Sequence, residues 1–177
     1  GRSLLINDLN IQYVEYLKYL HTVVTGQNSL TYAQAAGMGS SFIPIFSYYC
    51  SSPLQLLLAL LPNEAILLSV SLATLLSLSC GTMMFYLEDR FGPRRVHGLF
   101  ALGYALSGAA LAYSQCLMWL DGLVWLPMVL SGVEQILRGK SAKGFTLAVA
   151  VSVFSNYYTA IMGLMFACLI ALARYFS

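Results

Sequence analysis

From Ala65 to Leu87 the chain runs 23 residues without a charge. About 20 consecutive apolar residues are enough for a helix to cross a bilayer. In lipid such a segment must be helical, because only a helix or a closed barrel satisfies its own backbone there. The run stops at Glu88-Asp89-Arg90, and Arg94 and Arg95 follow, so three arginines fall within six residues. That cluster predicts the cytoplasmic side by the positive-inside rule. The rest of the chain agrees. Only 9% of the 177 residues are charged and 59% are hydrophobic, against about 25% charged in soluble domains. Lipid must therefore replace water as solvent for much of the surface. No lysine- or arginine-rich run exists to track phosphates, which excludes nucleic acid as a partner.

The expected fold is all-α, a polytopic bundle of transmembrane helices. A second span is read at about 97–116. Ala101, Ala105 and Ala109 lie there at four-residue steps, as do Gly103 and Ser107, a pattern that lets helices approach closely. Residues 117–122 read as an outer turn. A third span at about 122–137 carries Pro127, a cause of kinks. It ends at Arg138, Lys140 and Lys143, basic again and expected inside. Residues 145–174 are apolar but for Ser155-Asn156-Tyr157-Tyr158-Thr159. They form either one long tilted helix or two short segments meeting at a polar apex. The positive-inside rule favours two, because Arg174 then falls inside.

Residues 1–62 read as a separate extracytoplasmic loop bearing amphipathic and interfacial helices, ahead of the transmembrane part at 63–177. Asp8 suits an N-cap for a helix from about Leu9 to Thr25, with Val14, Leu17, His21 and Val24 as its apolar stripe. Gly26 to Ser29 should end it. Phe42, Phe46, Tyr48 and Tyr49 suit a membrane–water boundary. Leu54 to Leu61 spans only about 12 Å as a helix, too short to cross. Starting at Gly1 without methionine, the chain reads as a piece of a longer protein.

Among residues able to carry chemistry, topology places Asp8 and Asp121 together at the outer edge of the bilayer. Ionisable groups at membrane depth are costly and mark function. Equally, Asp8 reads as a helix cap and Asp121 as a charge complementing a helix dipole. Asn156 and Tyr157 interrupt an apolar run as a substrate contact or as a hydrogen-bonded helix break. Glu88, Asp89 and Glu134 read as solvated partners of nearby basic residues. The two histidines, His21 and His97, fall on opposite sides and cannot share a metal. Gly37-Met38-Gly39 offers only a weak phosphate-cradle signal. The four cysteines lack a CxxC spacing and receive no role.

Several stretches carry a family resemblance: the run from Ser3 to Tyr13 (SLLINDLNIQY), Gly37-Met38-Gly39, Tyr48 to Leu54 (YYCSSPL), Tyr104 to Gly108 (YALSG), Met118 to Asp121 (MWLD), and Ser155 to Tyr158 (SNYY). In this order the chain resembles the bacterial YfhO-type membrane protein family over nearly its whole length. That family is similar to GT-C glycosyltransferases, which use polyprenyl-phosphate sugars outside the membrane. The resemblance implies a GT-C-like bundle, an N-terminal fragment that follows a first transmembrane helix, and transfer of sugar to a cell-envelope polymer such as teichoic acid in a Gram-positive bacterium. It implies Asp8 and Asp121 as catalytic acids. Asn10, Gln12, Tyr13, Lys18, Asn156 and Tyr157 are the candidate substrate contacts. Arg2 joins Lys18 as a counter-charge for phosphate. The cofactor stays open, with Asp8 the candidate ligand of a divalent cation. Two other classes compete: a flippase or transporter for lipid-linked sugars, and a non-catalytic membrane scaffold.

Overall fold

The structure, a computed structural model, describes residues 9–34, 38–61 and 64–176. Asp8, Arg2 and Gly37 lie outside the described residues. The first described element is a π-helical turn, Leu9–Tyr13, which leads into α1 (Val14–Val24). The wider turn shifts the helix phase. The buried face is Leu9, Tyr13, Val14, Leu17 and Leu20, while Val24 is exposed. The expected stripe through His21 and Val24 is thus corrected. His21 instead donates from Nδ1 to the Ala59 carbonyl at 2.6 Å, tying α1 to the residue after α3.

One turn, α2 (Ile43–Ile45), and a second π-helical turn, Phe46–Cys50, precede α3 (Pro53–Leu58). Proline opens α3 because the first helical N–H has no internal acceptor to lose. Six further helices follow among the described residues: α4 (Glu64–Phe91), α5 (Val96–Ala105), α6 (Gly108–Ala112), α7 (Leu117–Leu137), α8 (Lys143–Ser155) and α9 (Tyr157–Tyr175). Segments Ile66–Phe91, Leu117–Leu137 and Tyr157–Tyr175 are long and apolar enough to cross a bilayer. The bundle is all-α, of membrane type.

Two expectations need correction. The helix read at 97–116 is broken at Leu106, and Ser107 caps α6 by accepting from Ala110 N at 3.3 Å. The break shifts the register by one, so Ala101, Ala105 and Ala110 are buried while Ala109 is exposed. Second, no turn occupies 117–122. Helix α7 starts at Leu117 and carries Asp121 in its second turn, 3% exposed.

Helix α7 is the central element, packed against α4, α8 and α9. Gly132 makes the closest approach: a Cβ there would lie 2.6 Å from the Phe145 Cα, so only glycine admits α8 at this distance. Pro127 sits buried inside α7. It has no N–H, which leaves the Leu123 carbonyl one turn earlier without its helical donor. Tyr104 on α5 supplies the missing bond, donating from its hydroxyl to the Leu123 oxygen at 2.9 Å. An unpaired carbonyl in hydrocarbon is costly, and this side chain removes the cost.

The apolar run from 145 is two helices, broken at Asn156. The side-chain Oδ1 of Asn156 accepts from Thr159 N at 2.9 Å and caps α9. Phe145 and Ala171 line one apolar cavity of about 220 Å³, so α8 and α9 double back as a hairpin. The hairpin brings Arg174 to the end that already holds Arg90 and Arg138. All three guanidinium groups reach the Glu134 carboxylate, at 3.1 Å from Arg90, 3.4 Å from Arg174 and 3.9 Å from Arg138. Glu134 is 3% exposed. The reading of it as a solvated partner is corrected: it is a buried hub joining the C-terminal ends of α4, α7 and α9. Cations are favoured at such ends by the helix dipoles.

A candidate polar site at the opposite end of the bundle

The end of the bundle away from the arginines gathers polar groups from three distant segments. Ser52 comes from the strip between the second π-helical turn and α3, Asp121 from α7, and Asn156 from the α8–α9 junction. Ser52 occupies the cap position of α3 yet makes no cap bond there. Its hydroxyl instead donates to Asp121 Oδ1 at 2.8 Å. The neighbouring Ser51 hydroxyl is shared between the carbonyls of Ser47, at 3.0 Å, and Ser155, at 3.2 Å. Asn156 donates from Nδ2 to the Tyr48 carbonyl at 3.1 Å. Pro53, five residues after Tyr48, has no N–H to offer that π-helical carbonyl. Close packing of α7 on α9 holds the arrangement, since a Cβ on Gly122 would lie 2.9 Å from the Thr159 Cβ.

Two buried atoms here have no hydrogen-bond partner among the described residues: Asp121 Oδ2 and Ser155 Oγ. Buried polar atoms are normally paired, so each such exception calls for a reason. Around them runs an array of rings. Tyr49 packs on Tyr13 at 5.5 Å, on Tyr16 at 4.9 Å and on Tyr48 at 4.9 Å, and Tyr48 packs on Tyr157 at 5.8 Å. The Tyr13 hydroxyl accepts from Met118 N at 3.5 Å, meeting one of the free N–H groups at the start of α7. Burial pushes the Tyr13 phenol well above the ordinary tyrosine range, so it stays neutral. The Cys50 thiol, fully buried beside it, is pushed up to about 12 for the same reason. It has no thiolate character at neutral pH.

Of the residues singled out from the sequence, the structure brings together Asp121, Asn156, Tyr13 and Tyr157. Asn10 is exposed and Gln12 half-buried on the first π-helical turn. Lys18 lies elsewhere, paired with Glu15 at 3.1 Å. Ser51, Ser52 and Tyr48 complete the polar cluster, and the sequence marks them only by a serine pair before a proline. Among the described residues no three His, Cys, Asp or Glu side chains gather as a metal site. Asp8, the candidate ligand of a divalent cation, lies outside the described residues.

A family model described as bacterial membrane protein YfhO matches residues 1–177. No curated protein and no solved structure matches the chain. The helical bundle and its apolar spans are what such a match requires, and this chain belongs to the YfhO family of bacterial membrane proteins, as a multi-pass membrane protein.

Proposed function

We propose that this chain is part of a GT-C-like glycosyltransferase that moves a sugar from a polyprenyl phosphate to a cell-envelope polymer, teichoic acid being the candidate acceptor, on the outer face of the membrane. The observation that carries the reading is the Asp121 carboxylate. It is buried at the end of the bundle opposite the arginines, held by Ser52 through Oδ1, and lacks a donor to Oδ2 among the described residues. By the positive-inside rule, the arginine end faces the cytoplasm and the Asp121 end faces out.

In the step we assign, an acceptor hydroxyl oxygen attacks the anomeric carbon of the donor sugar. The bond from that carbon to the phosphate oxygen breaks, and polyprenyl phosphate leaves with the electron pair. The hydroxyl proton passes to a carboxylate acting as general base, Asp121 Oδ2 or Asp8. Asp121 is 3% exposed, so access requires movement in the packing around it. One hydrogen bond to a charged group, worth about 1.5–3 kcal/mol, resists that movement at Asp121. Arg2 is assigned to the phosphate, and Asn10, Gln12, Asn156 and Tyr157 to the sugars; Lys18, paired with Glu15 away from Asp121, has no part in this step.

The test is Asp121→Asn in the full-length protein, which keeps the shape and the Ser52 contact. Envelope-sugar transfer should fall by at least about a hundredfold, the usual worth of a general base, with insertion and abundance unchanged. Transfer at the wild-type rate would remove Asp121 from the reaction. Asp8→Asn separates the two acids.

A further inference from the structure

A second cavity, of about 670 Å³, lies between α1 and residues 28–33 and 40–45, and none of the chemistry assigned to Asp121 uses it. Its volume is in the range of small-molecule sites. Glu15, Tyr16, Lys18, Tyr19, Asn28 and Phe42 line it. We propose that this cavity binds a neutral saccharide chain, a binding that does not rest on the glycosyltransferase reading.

Three features of the lining select that ligand. Tyr16 and Tyr19 supply aromatic surface, and buried Phe42 packs against both rings, at 6.5 Å and 4.4 Å between centroids. The hydroxyl of Tyr19 donates to the carbonyls of Ser29 and Tyr32, at 2.8 Å and 3.0 Å. Its position is therefore set before any ligand arrives, which lowers the ordering cost of binding. The C–H face of a pyranose ring packs on such surfaces.

The polar lining is mixed in kind. Glu15 only accepts, Lys18 only donates, and Asn28 does both, which matches vicinal hydroxyls. It is also balanced in charge, because Glu15 and Lys18 pair at 3.1 Å across one helical turn. A phosphate or nucleotide site would carry an excess of cations, and an apolar ligand would leave these polar groups desolvated. Tyr16 packs on Tyr49 and Tyr49 on Tyr13, whose hydroxyl meets α7. The cavity is thus joined by stacked rings to the helix that carries Asp121.

The experiment uses the full-length protein in lipid nanodiscs, with maltotriose and N-acetylchitotriose as neutral probes and glycerol 3-phosphate as the anionic one. Binding is read by saturation-transfer NMR. At least one trisaccharide should bind, and Tyr16→Ala should weaken it about fivefold, the scale of one aromatic contact. Asn28→Ala, at an exposed position away from the packed rings, should weaken the same binding. Asp121→Asn should bind as the wild type does. Failure of both trisaccharides to bind, indifference to both cavity variants, or tighter binding of glycerol phosphate would overturn the proposal. If Asp121→Asn kept transferring sugar while the trisaccharide still bound, the catalytic reading would fall and the cavity assignment would stand.

Discussion

Removing the Tyr104 hydroxyl should expose what Pro127 costs helix α7. Tyr104→Phe leaves ring and packing in place and deletes one hydrogen bond, that to the Leu123 carbonyl at 2.9 Å. That carbonyl cannot be recovered by its own helix, because residue 127 has no N–H. A buried acceptor left unpaired costs about 1–3 kcal/mol, whereas side-chain hydrogen bonds between membrane helices average only about 0.6 kcal/mol. The proline makes this bond exceptional, and a loss of about 1.5 kcal/mol is expected, toward the upper limit measured in membranes. In a Pro127→Ala background the helical donor returns, and the same Tyr104→Phe change should cost no more than about 0.5 kcal/mol. The two changes form a double-mutant cycle with a coupling near 1 kcal/mol. Unfolding of the full-length protein in mixed micelles, titrated with a denaturing detergent, measures all four corners. Equal cost of Tyr104→Phe in both backgrounds would show that the bond does not serve the proline gap.

Asn156→Ala removes the cap of α9 and the donor to the Tyr48 carbonyl together. With about 1 kcal/mol for the cap and 1–3 for the orphaned carbonyl, the expected loss is about 2–4 kcal/mol. Asn156→Asp keeps the cap acceptor and should lose only part of this in the same titration. Glu134→Gln strips three arginines of a shared countercharge. Fully buried pairs cost about 3–5 kcal/mol when broken, but these arginine side chains are 22–41% exposed, so about 2 kcal/mol is expected. A change below about 0.5 kcal/mol, the range of ordinary surface substitutions, would show that the hub holds nothing together.

Much of the architecture was legible in the order of residues alone. Ala65 to Leu87 is too long and too uncharged to be anything but a helix in lipid. Arg90, Arg138 and Arg174 follow apolar runs closely enough to mark one end of each. These features are local, so hydropathy and charge read along the chain report them without knowledge of neighbours. Harder to read was the exact phase. A π-helical turn ahead of α1 and a break at Leu106 each shift which side chains face inward, and composition carries no signal for either.

The polar site was half visible. Asp121 and Asn156 stand out because acids and amides are rare in apolar runs, but their partners do not. Ser52 meets Asp121 across 69 residues and Tyr48 meets Asn156 across 108. Which serine reaches which carboxylate depends on how α3, α7 and the α8–α9 hairpin pack, and small residues such as Gly122 and Gly132 set that packing. Glu134 shows the same division. Its charge is plain in the sequence, but its burial beneath three arginines exists only once three helices end at one level. Solvent preference is a property of each segment by itself, whereas a site is a property of distances between segments, and those are decided when the helices come together.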